Sequence, residues 1–452
     1  MLRKVIVALL VVGLVLTGFA GPAEAQRRMS LIRDAEIEHT IRRFLEPILQ
    51  VAGVSPGAVD IILVNDPTLN AFVSGGQNIF IHTGLLMEVE TPGELIGVLA
   101  HETGHIAGGH LARGQGALEN AQRTALLTTL LGLAAALASG EGGAGAAVMM
   151  GGQSMAQRDF LGFTRGMESA ADQAAMNYLD RVGYSSEGLL TFLEQLADQE
   201  LVPESRQVEY VRTHPLTQDR VATVRHHVQN SPLTGEPYPA GYVESLARIQ
   251  AKLYGFLMPQ VAMRRYPETD TSIAGHYGRT IAQYRRGDFD AALAGIDALI
   301  EAEPQNPYFH ELKGQILLET GRLEQAREPY ERAVELLPHE PLLLVALAQT
   351  KLEGNDETLL RSAIANLEEA VRQPNGDTPL AWRLLATGYG KVGELGMAAV
   401  ALAEEALARG DREGALGQAD RAQQILPVGS PGALRAQDIE RAAEQLEEED
   451  DR

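Results

Sequence analysis

The chain contains no cysteine. That excludes disulfides, Cys-ligated zinc ribbons, thiol catalysis and Cys-linked lipid anchors. Any metal site must therefore draw on His, Asp and Glu. Basic residues are also scarce: 38 Lys and Arg stand against 60 Asp and Glu, a formal net charge of -22. Duplex nucleic acid is held by Lys and Arg that neutralise phosphates, so no nucleic-acid partner is expected. Long apolar runs are missing beyond the N-terminus. TALLTTLLGLAAALA (124–138) has 15 residues without a charge. A membrane-spanning helix needs about 20, which argues against a membrane-embedded protein.

What is present begins with length. The 452 residues, 45% of them hydrophobic, suffice for two or three domains with a sizeable core. MLRK, then the apolar run VIVALLVVGLVLTGFA, then AEA match the three parts of a secretory leader. Residues 1–25 are expected to be removed after Ala25.

The mature chain reads as mainly α: an α+β domain with a small sheet, followed by an α-solenoid. Ile37, Ile41, Phe44, Leu45 and Ile48 mark one face of a helix over residues 30–56. AVDIILVND (58–66) reads as a strand. NAFVSGGQNIFIHTGLL (70–86) reads as two short strands around Gly75 and Gly76. ELIGVLAHETGHIAGGHLAR (94–113) has a helical pattern. The 124–155 stretch fits a buried core helix, a mobile flap or a membrane-touching hairpin, and its glycines speak against a rigid helix beyond Ser139. Helix resumes over 158–183, and further helices broken near Pro203 and Pro215 carry the chain to residue 229.

The second half repeats. Gly287 and Gly321, Ala292 and Ala326, and Pro304 and Pro338 are each 34 residues apart. That period, with Gly and Ala at a helix–turn–helix junction and a closing Pro, is the tetratricopeptide pattern. A longer third unit ends near Pro374, and a fourth carries Trp382, Leu385 and Ala399. The expected domains are 26–235 for the first, 236–270 for a linker with a connecting helix, 271–430 for the repeats and 431–452 for an acidic C-terminal helix or tail.

Chemistry concentrates in VLAHETGHIAGGH (98–110). His101 and His105 are four apart, so a helix places both imidazoles on one face. Two neutral imidazoles at that spacing suit zinc, and Glu102 between them can polarise a water there, the H-E-x-x-H arrangement of zinc proteases. A third protein ligand is needed. His110 follows His105 by five residues rather than the six of the metzincin pattern. On a continuous helix it faces away from His101, so it is expected to be a plain helical histidine. Glu168 in MESAADQAA is the expected ligand, with Asp172 one turn later placed to accept an imidazole N–H.

H-E-x-x-H, a long gap and then E-S-A-A-D resemble the gluzincin metallopeptidases of the HtpX, CAAX prenyl and Oma type. NAFVSGGQNIFIHTGLL, just before the zinc helix, is similar to that family too. The whole chain resembles its secreted branch with C-terminal tetratricopeptides. The resemblance implies one zinc per chain on His101, His105 and Glu168, with Glu102 as general base. It also brings a T-H-P…R segment, here Thr213, His214, Pro215 and Arg220, close to the active site. His214 and Arg220 are then candidate oxyanion donors, or His214 fills the fourth zinc position and holds the enzyme shut. Asn70, Ala71 and Phe72 form the candidate edge to which an extended substrate adds as a strand. The implied function is a periplasmic zinc endopeptidase for unfolded or misassembled proteins, acting in outer-membrane protein quality control. Its implied partners are outer-membrane proteins and their assembly machinery, bound through the repeats, with peripheral membrane contact through 124–155. The alternative is a chaperone or adaptor whose protease site is latent.

Overall fold

The computed structural model describes residues 29–139, 142–197 and 207–450. The expected leader, Pro203 and the last two residues lie outside them. Asp34 caps the first helix, α1 (Ala35–Ala52), by accepting from the Ile37 N–H, and Gly53 ends it at φ 75°. Ile37, Ile41, Phe44, Leu45 and Ile48 are all buried on the face that their spacing predicts.

That face packs on a four-stranded sheet in the order β1-β2-β4-β3, made of Leu31–Ile32, Ile61–Val64, Ala71–Ser74 and Asn78–His82 for β1 to β4. β2 and β4 run parallel, and β3 pairs antiparallel with β4 from Ala71↔Ile81 to Ser74↔Asn78. β3 is therefore an edge strand. Next come α2 (Thr83–Glu88) and α3 (Pro92–Ala107), which carries the histidine motif. Thr91 and Glu94 cap α3 reciprocally: Thr91 Oγ1 accepts from the Glu94 N–H, and Glu94 accepts from the Glu90 N–H. Pro92 occupies the first turn, where no N–H is missed.

α4 (His110–Ser139) and α5 (Gly142–Val182) form a long antiparallel hairpin. From Gly142 onward the glycine-rich stretch is thus helical, contrary to its composition. Each helical glycine costs about 1 kcal/mol against alanine, a preference too small to decide the conformation by itself. The 124–138 segment is no core helix where its side chains are described: Leu126, Leu127, Leu130 and Leu131 are 54–61% exposed.

α6 (Glu187–Leu196), α7 (Glu209–Thr213) and α8 (Gln218–Asn230) complete the first core together with α9 (Tyr242–Leu257). α9 is embedded rather than a tether. Its Leu246, Ile249 and Leu253 are buried in the first core, and it also packs on the first repeat helix.

After α10 (Pro259–Arg265) the solenoid runs as helix pairs: α11 (Ile273–Arg285) with α12 (Phe289–Ala302), α13 (Pro307–Glu319) with α14 (Leu323–Leu336), α15 (Pro341–Leu352) with α16 (Glu357–Ala370), and α17 (Pro379–Lys391) with α18 (Leu395–Ala408). Gly287 and Gly321 take φ 84° and 76° at equivalent turns. α19 (Arg412–Ile425) and α20 (Pro431–Asp450) close the array, with Ala433, Ala436, Ile439 and Ala443 of α20 buried. A polar-faced terminal helix is what a solenoid needs to cover its last apolar surface.

The solenoid curls back onto the start of α1. The Tyr277 hydroxyl donates to Glu36 Oε2 at 2.9 Å, and His39 meets the Tyr308 hydroxyl at 2.8 Å and Glu340 at 2.9 Å. Lys252 of α9 lies 2.7 Å from Asp34 and 3.3 Å from Glu36. Arg33 donates to the Asn375 carbonyl, and Asn375 Nδ2 to Asp60.

Candidate metal centre

His101 and His105 project from one face of α3, as their spacing requires, with their Nε2 atoms 3.0 Å apart. The facing helix is α5. It approaches closely because residue 104 is glycine: a Cβ there would sit 2.8 Å from the Ala171 carbonyl oxygen. That approach delivers Glu168 and Asp172. Glu168 Oε2 is 3.3 Å from His101 Nε2, and Oε1 is 3.4 Å from His105 Nε2. Asp172 Oδ1 accepts from His101 Nδ1 at 2.8 Å, leaving the His101 Nε2 lone pair for the centre.

His214 enters from the turn after α7. Its Nδ1 is 3.3 Å from Glu168 Oε2 and has no hydrogen-bond partner, although it is buried. Its Nε2 donates to the Ala71 carbonyl of β3 at 3.0 Å. His101, His105, Glu168 and His214 thus turn one donor atom each toward a common point, all within 4.8 Å of one another. The four short donor separations span 3.0–3.4 Å. Oε2 of Glu168 faces His101 and His214 while Oε1 faces His105, and these lengths are near the ~3.3 Å between ligands at ~2.05 Å from a small divalent metal, which the donor set suits.

Electrostatics agree. Burial opposes charge on His101, yet Asp172 and Glu168 outweigh it and push the imidazole up to about 10. Burial drives His105 far down, helped by His101. Burial would raise the Glu168 carboxyl, but His214 and His101 hold it well below the usual range. The carboxylates thus favour a positive charge among the imidazoles, which a bound metal supplies.

Glu102 stands one residue along α3, fully buried, with neither carboxylate oxygen hydrogen-bonded. Burial raises its pKa, partly offset by His214, whose Nε2 is 3.5 Å away. Arg220 turns to the carboxylates rather than to open space. Nε and Nη2 donate to Asp172 at 2.6 and 2.9 Å, and Nη1 is 3.0 Å from Glu168. Asn70 is buried, its Oδ1 accepting from the Thr213 hydroxyl while Nδ2 has no partner. Ala71 heads the edge strand, and Phe72 stacks on Phe80 at 5.0 Å.

One neighbour falls outside the expected set. α3 does not continue through 110, because the chain breaks at Gly108 and Gly109, the latter at φ 60°. His110, expected to face away, instead lies with its Nδ1 3.0 Å from His105 Nδ1. The paired glycines are the available signal in the sequence, since two in a row favour a break in a helix.

Peptidase family M48 matches residues 33–228, which hold every residue of this cluster. This is an M48 metallopeptidase domain. Tetratricopeptide repeats match residues 277–341. The chain is 28% identical over 380 residues to the β-barrel assembly-enhancing protease of Yersinia pestis, covering 81% of this chain and 75% of that one. Against the Escherichia coli K12 protein of the same name it is 29% identical over 332 residues, 72% of this chain and 66% of the relative. Metalloprotease LoiP of Escherichia coli K12 is 32% identical over 164 residues, 35% of this chain and 58% of the relative. Repeats thus follow the M48 domain in a mainly α chain, as the sequence suggests.

Proposed function

We propose that the chain is a zinc-dependent endopeptidase. One observation carries the reading: four donor groups converge within 4.8 Å beside a buried carboxylate, Glu102, that no hydrogen bond engages. Held by His101, His105 and Glu168, a zinc ion would supply Lewis-acid polarisation of the scissile carbonyl and a more acidic water. Glu102 takes the proton from the attacking water and returns it to the leaving amide nitrogen. Its raised pKa suits that return, because burial favours the protonated carboxyl. His101 and His105 are kept as Nε2 ligands by the partners on their Nδ1 atoms, and Glu168 is the third ligand. Arg220 positions Asp172 and Glu168.

The substrate adds to β3 as a further strand, hydrogen-bonding through its main chain. His214 stands in the way, since it occupies the Ala71 carbonyl while its Nδ1 fills the fourth donor position. This is a closed resting state. Lifting the 213–214 segment frees the fourth position, the β3 edge and the Asn70 amide together. Such recognition requires unfolded chain and little sequence, which suits quality control.

The chain is further proposed to be periplasmic, with its leader removed after Ala25, the peptidase unit extended beyond 26–235 to take in α9 of the 236–270 connection, repeats at 271–430 and a terminal helix at 431–452. Its relatives are named for β-barrel assembly. On that ground outer-membrane proteins in assembly are the proposed substrates, with their machinery bound through the repeats. The exposed Leu126, Leu127, Leu130 and Leu131 offer a peripheral contact with membrane lipid, and no helix among the described residues is long and apolar enough to cross one.

The test is digestion of casein by the zinc-loaded mature chain beside Glu102→Gln. Loss of hydrolysis by about 10²- to 10⁴-fold with zinc retained supports the reading. Equal activity in both would remove Glu102 from the mechanism. Zinc binding without hydrolysis in either, even under His214→Ala, would favour the latent adaptor.

A further inference from the structure

An imidazole that ligates a metal through Nε2 must carry its proton on Nδ1, and inside a protein that proton needs an acceptor. The site supplies one for each histidine. His101 Nδ1 faces Asp172 Oδ1 at 2.8 Å. His214, turned the other way round, places its proton on Nε2 against the Ala71 carbonyl at 3.0 Å. For His105 the partner is another imidazole: Nδ1 of His110, at 3.0 Å, with the ring centroids 4.9 Å apart at 83°.

The chain is built to put it there. Gly109 adopts φ 60°, which reverses the backbone between α3 and α4. At Gly108 a Cβ would lie 2.4 Å from His110 Nε2 and 2.7 Å from its Cδ2. The absence of a side chain at 108 is thus what lets the His110 ring lie over the end of α3. His110 is buried, and it touches neither Glu168 nor His214 in any hydrogen bond or ion pair. Its role toward the centre runs through His105.

We propose that His110 is a positioning residue: its Nδ1 accepts the Nδ1–H of His105 and so fixes the tautomer that turns the His105 Nε2 lone pair into the metal site. The opposite polarity, with His110 donating, would put the His105 proton on Nε2, facing Glu168, and cost the site a ligand. His110 must then carry its own proton on Nε2. The inference rests on the metal-site reading above.

The experiment measures zinc affinity by chelator competition on the full mature chain. His110→Leu, Gly108→Ala and His110→Asn are compared with wild type and with His105→Ala. His110→Leu is expected to weaken zinc binding by about 10- to 100-fold, the usual effect of losing such a partner. Gly108→Ala, whose backbone angles suit alanine but whose methyl displaces the His110 ring, should weaken it in the same direction. His110→Asn should restore most of the affinity, because its side-chain oxygen can accept the same N–H. Circular dichroism shows that each variant is folded. Unchanged affinity in His110→Leu overturns the proposal, as does an Asn variant no better than Leu. Should wild type bind no zinc, or His105→Ala bind as tightly as wild type, the metal-site reading itself fails and takes this one with it. A long-range ¹⁵N–¹H spectrum of the zinc form gives an independent readout: His105 must show its proton on Nδ1 and His110 on Nε2.

Discussion

Arg220 grips Asp172 with two prongs, Nε 2.6 Å from Oδ2 and Nη2 2.9 Å from Oδ1, while Asp172 in turn holds the ring of His101. All three side chains are buried. Removing the guanidinium leaves two buried carboxylates, Asp172 and Glu168, without their fixed cation. Arg220→Ala should therefore lower stability by about 3–5 kcal/mol, the usual effect of orphaning a buried charge. Lysine cannot reproduce a forked contact, so Arg220→Lys should recover only part of it. Urea denaturation of the metal-free proteins measures both, and a fully stable alanine variant would contradict the geometry.

The same pair sets an acid limit. Burial would raise the Asp172 carboxyl, but the Arg220 and His101 hydrogen bonds outweigh it and leave it below its ordinary 3.8. A depressed carboxyl stabilises the fold at pH values above the ordinary one, and that contribution drains away as pH falls through the depressed value. The gap in urea midpoint between wild type and Arg220→Ala should stay constant from pH 7 to about pH 5 and close below about pH 4. A gap still full at pH 2 would sink this account.

Glu311 behaves in the opposite sense. It faces the Lys252 region from α13, and its Oε2 is enclosed without a hydrogen bond. Burial pushes the carboxyl up to about 7, against the pull of Lys252. A raised carboxyl favours the fold at low pH, and the benefit is lost as pH rises through 7. Glu311→Gln should thus melt higher than wild type at pH 8 and level with it near pH 4.5, by scanning calorimetry. A variant that is less stable at pH 8 would show that Lys252 depends on this charge.

His214→Ala separates its two candidate roles. As the group that closes the site, its loss should speed casein digestion and weaken zinc binding, since one donor is gone. As an oxyanion donor its loss should slow digestion by about 10²- to 10³-fold with zinc affinity intact. The unengaged Nδ1 and the Ala71 contact favour the first outcome.

Local pattern made much of this visible in advance. The buried face of α1 and the strands flanking Gly75 and Gly76 follow directly from residue spacing. So does the pairing of His101 with His105 on α3, and of Glu168 with Asp172 on α5. What spacing could not show depends on where chains turn or meet. His110 was misplaced because a helix was extended across Gly108 and Gly109. The helix from Gly142 runs against glycine's propensity, a preference of about 1 kcal/mol per residue that does not settle a helix by itself. Arg220 finds Asp172 across 48 residues of sequence, which no local pattern encodes. α9 seemed part of a linker because the Pro- and Gly-rich stretch before it hides that its apolar face completes the first core.

The contacts at the start of α1 have a mechanical consequence. A free repeat array flexes like a spring, its curvature the sum of small rotations between units. Here successive turns are pinned to one helix end: Tyr277 to Glu36, Tyr308 and Glu340 to His39, Asn375 to Arg33. The array is a belt on a pulley, and the peptidase core is the pulley. A partner that straightens the belt must first pull on Arg33, Glu36 and His39. Tension on the repeats therefore arrives at the helix that underlies the sheet whose outer strand borders the candidate metal centre.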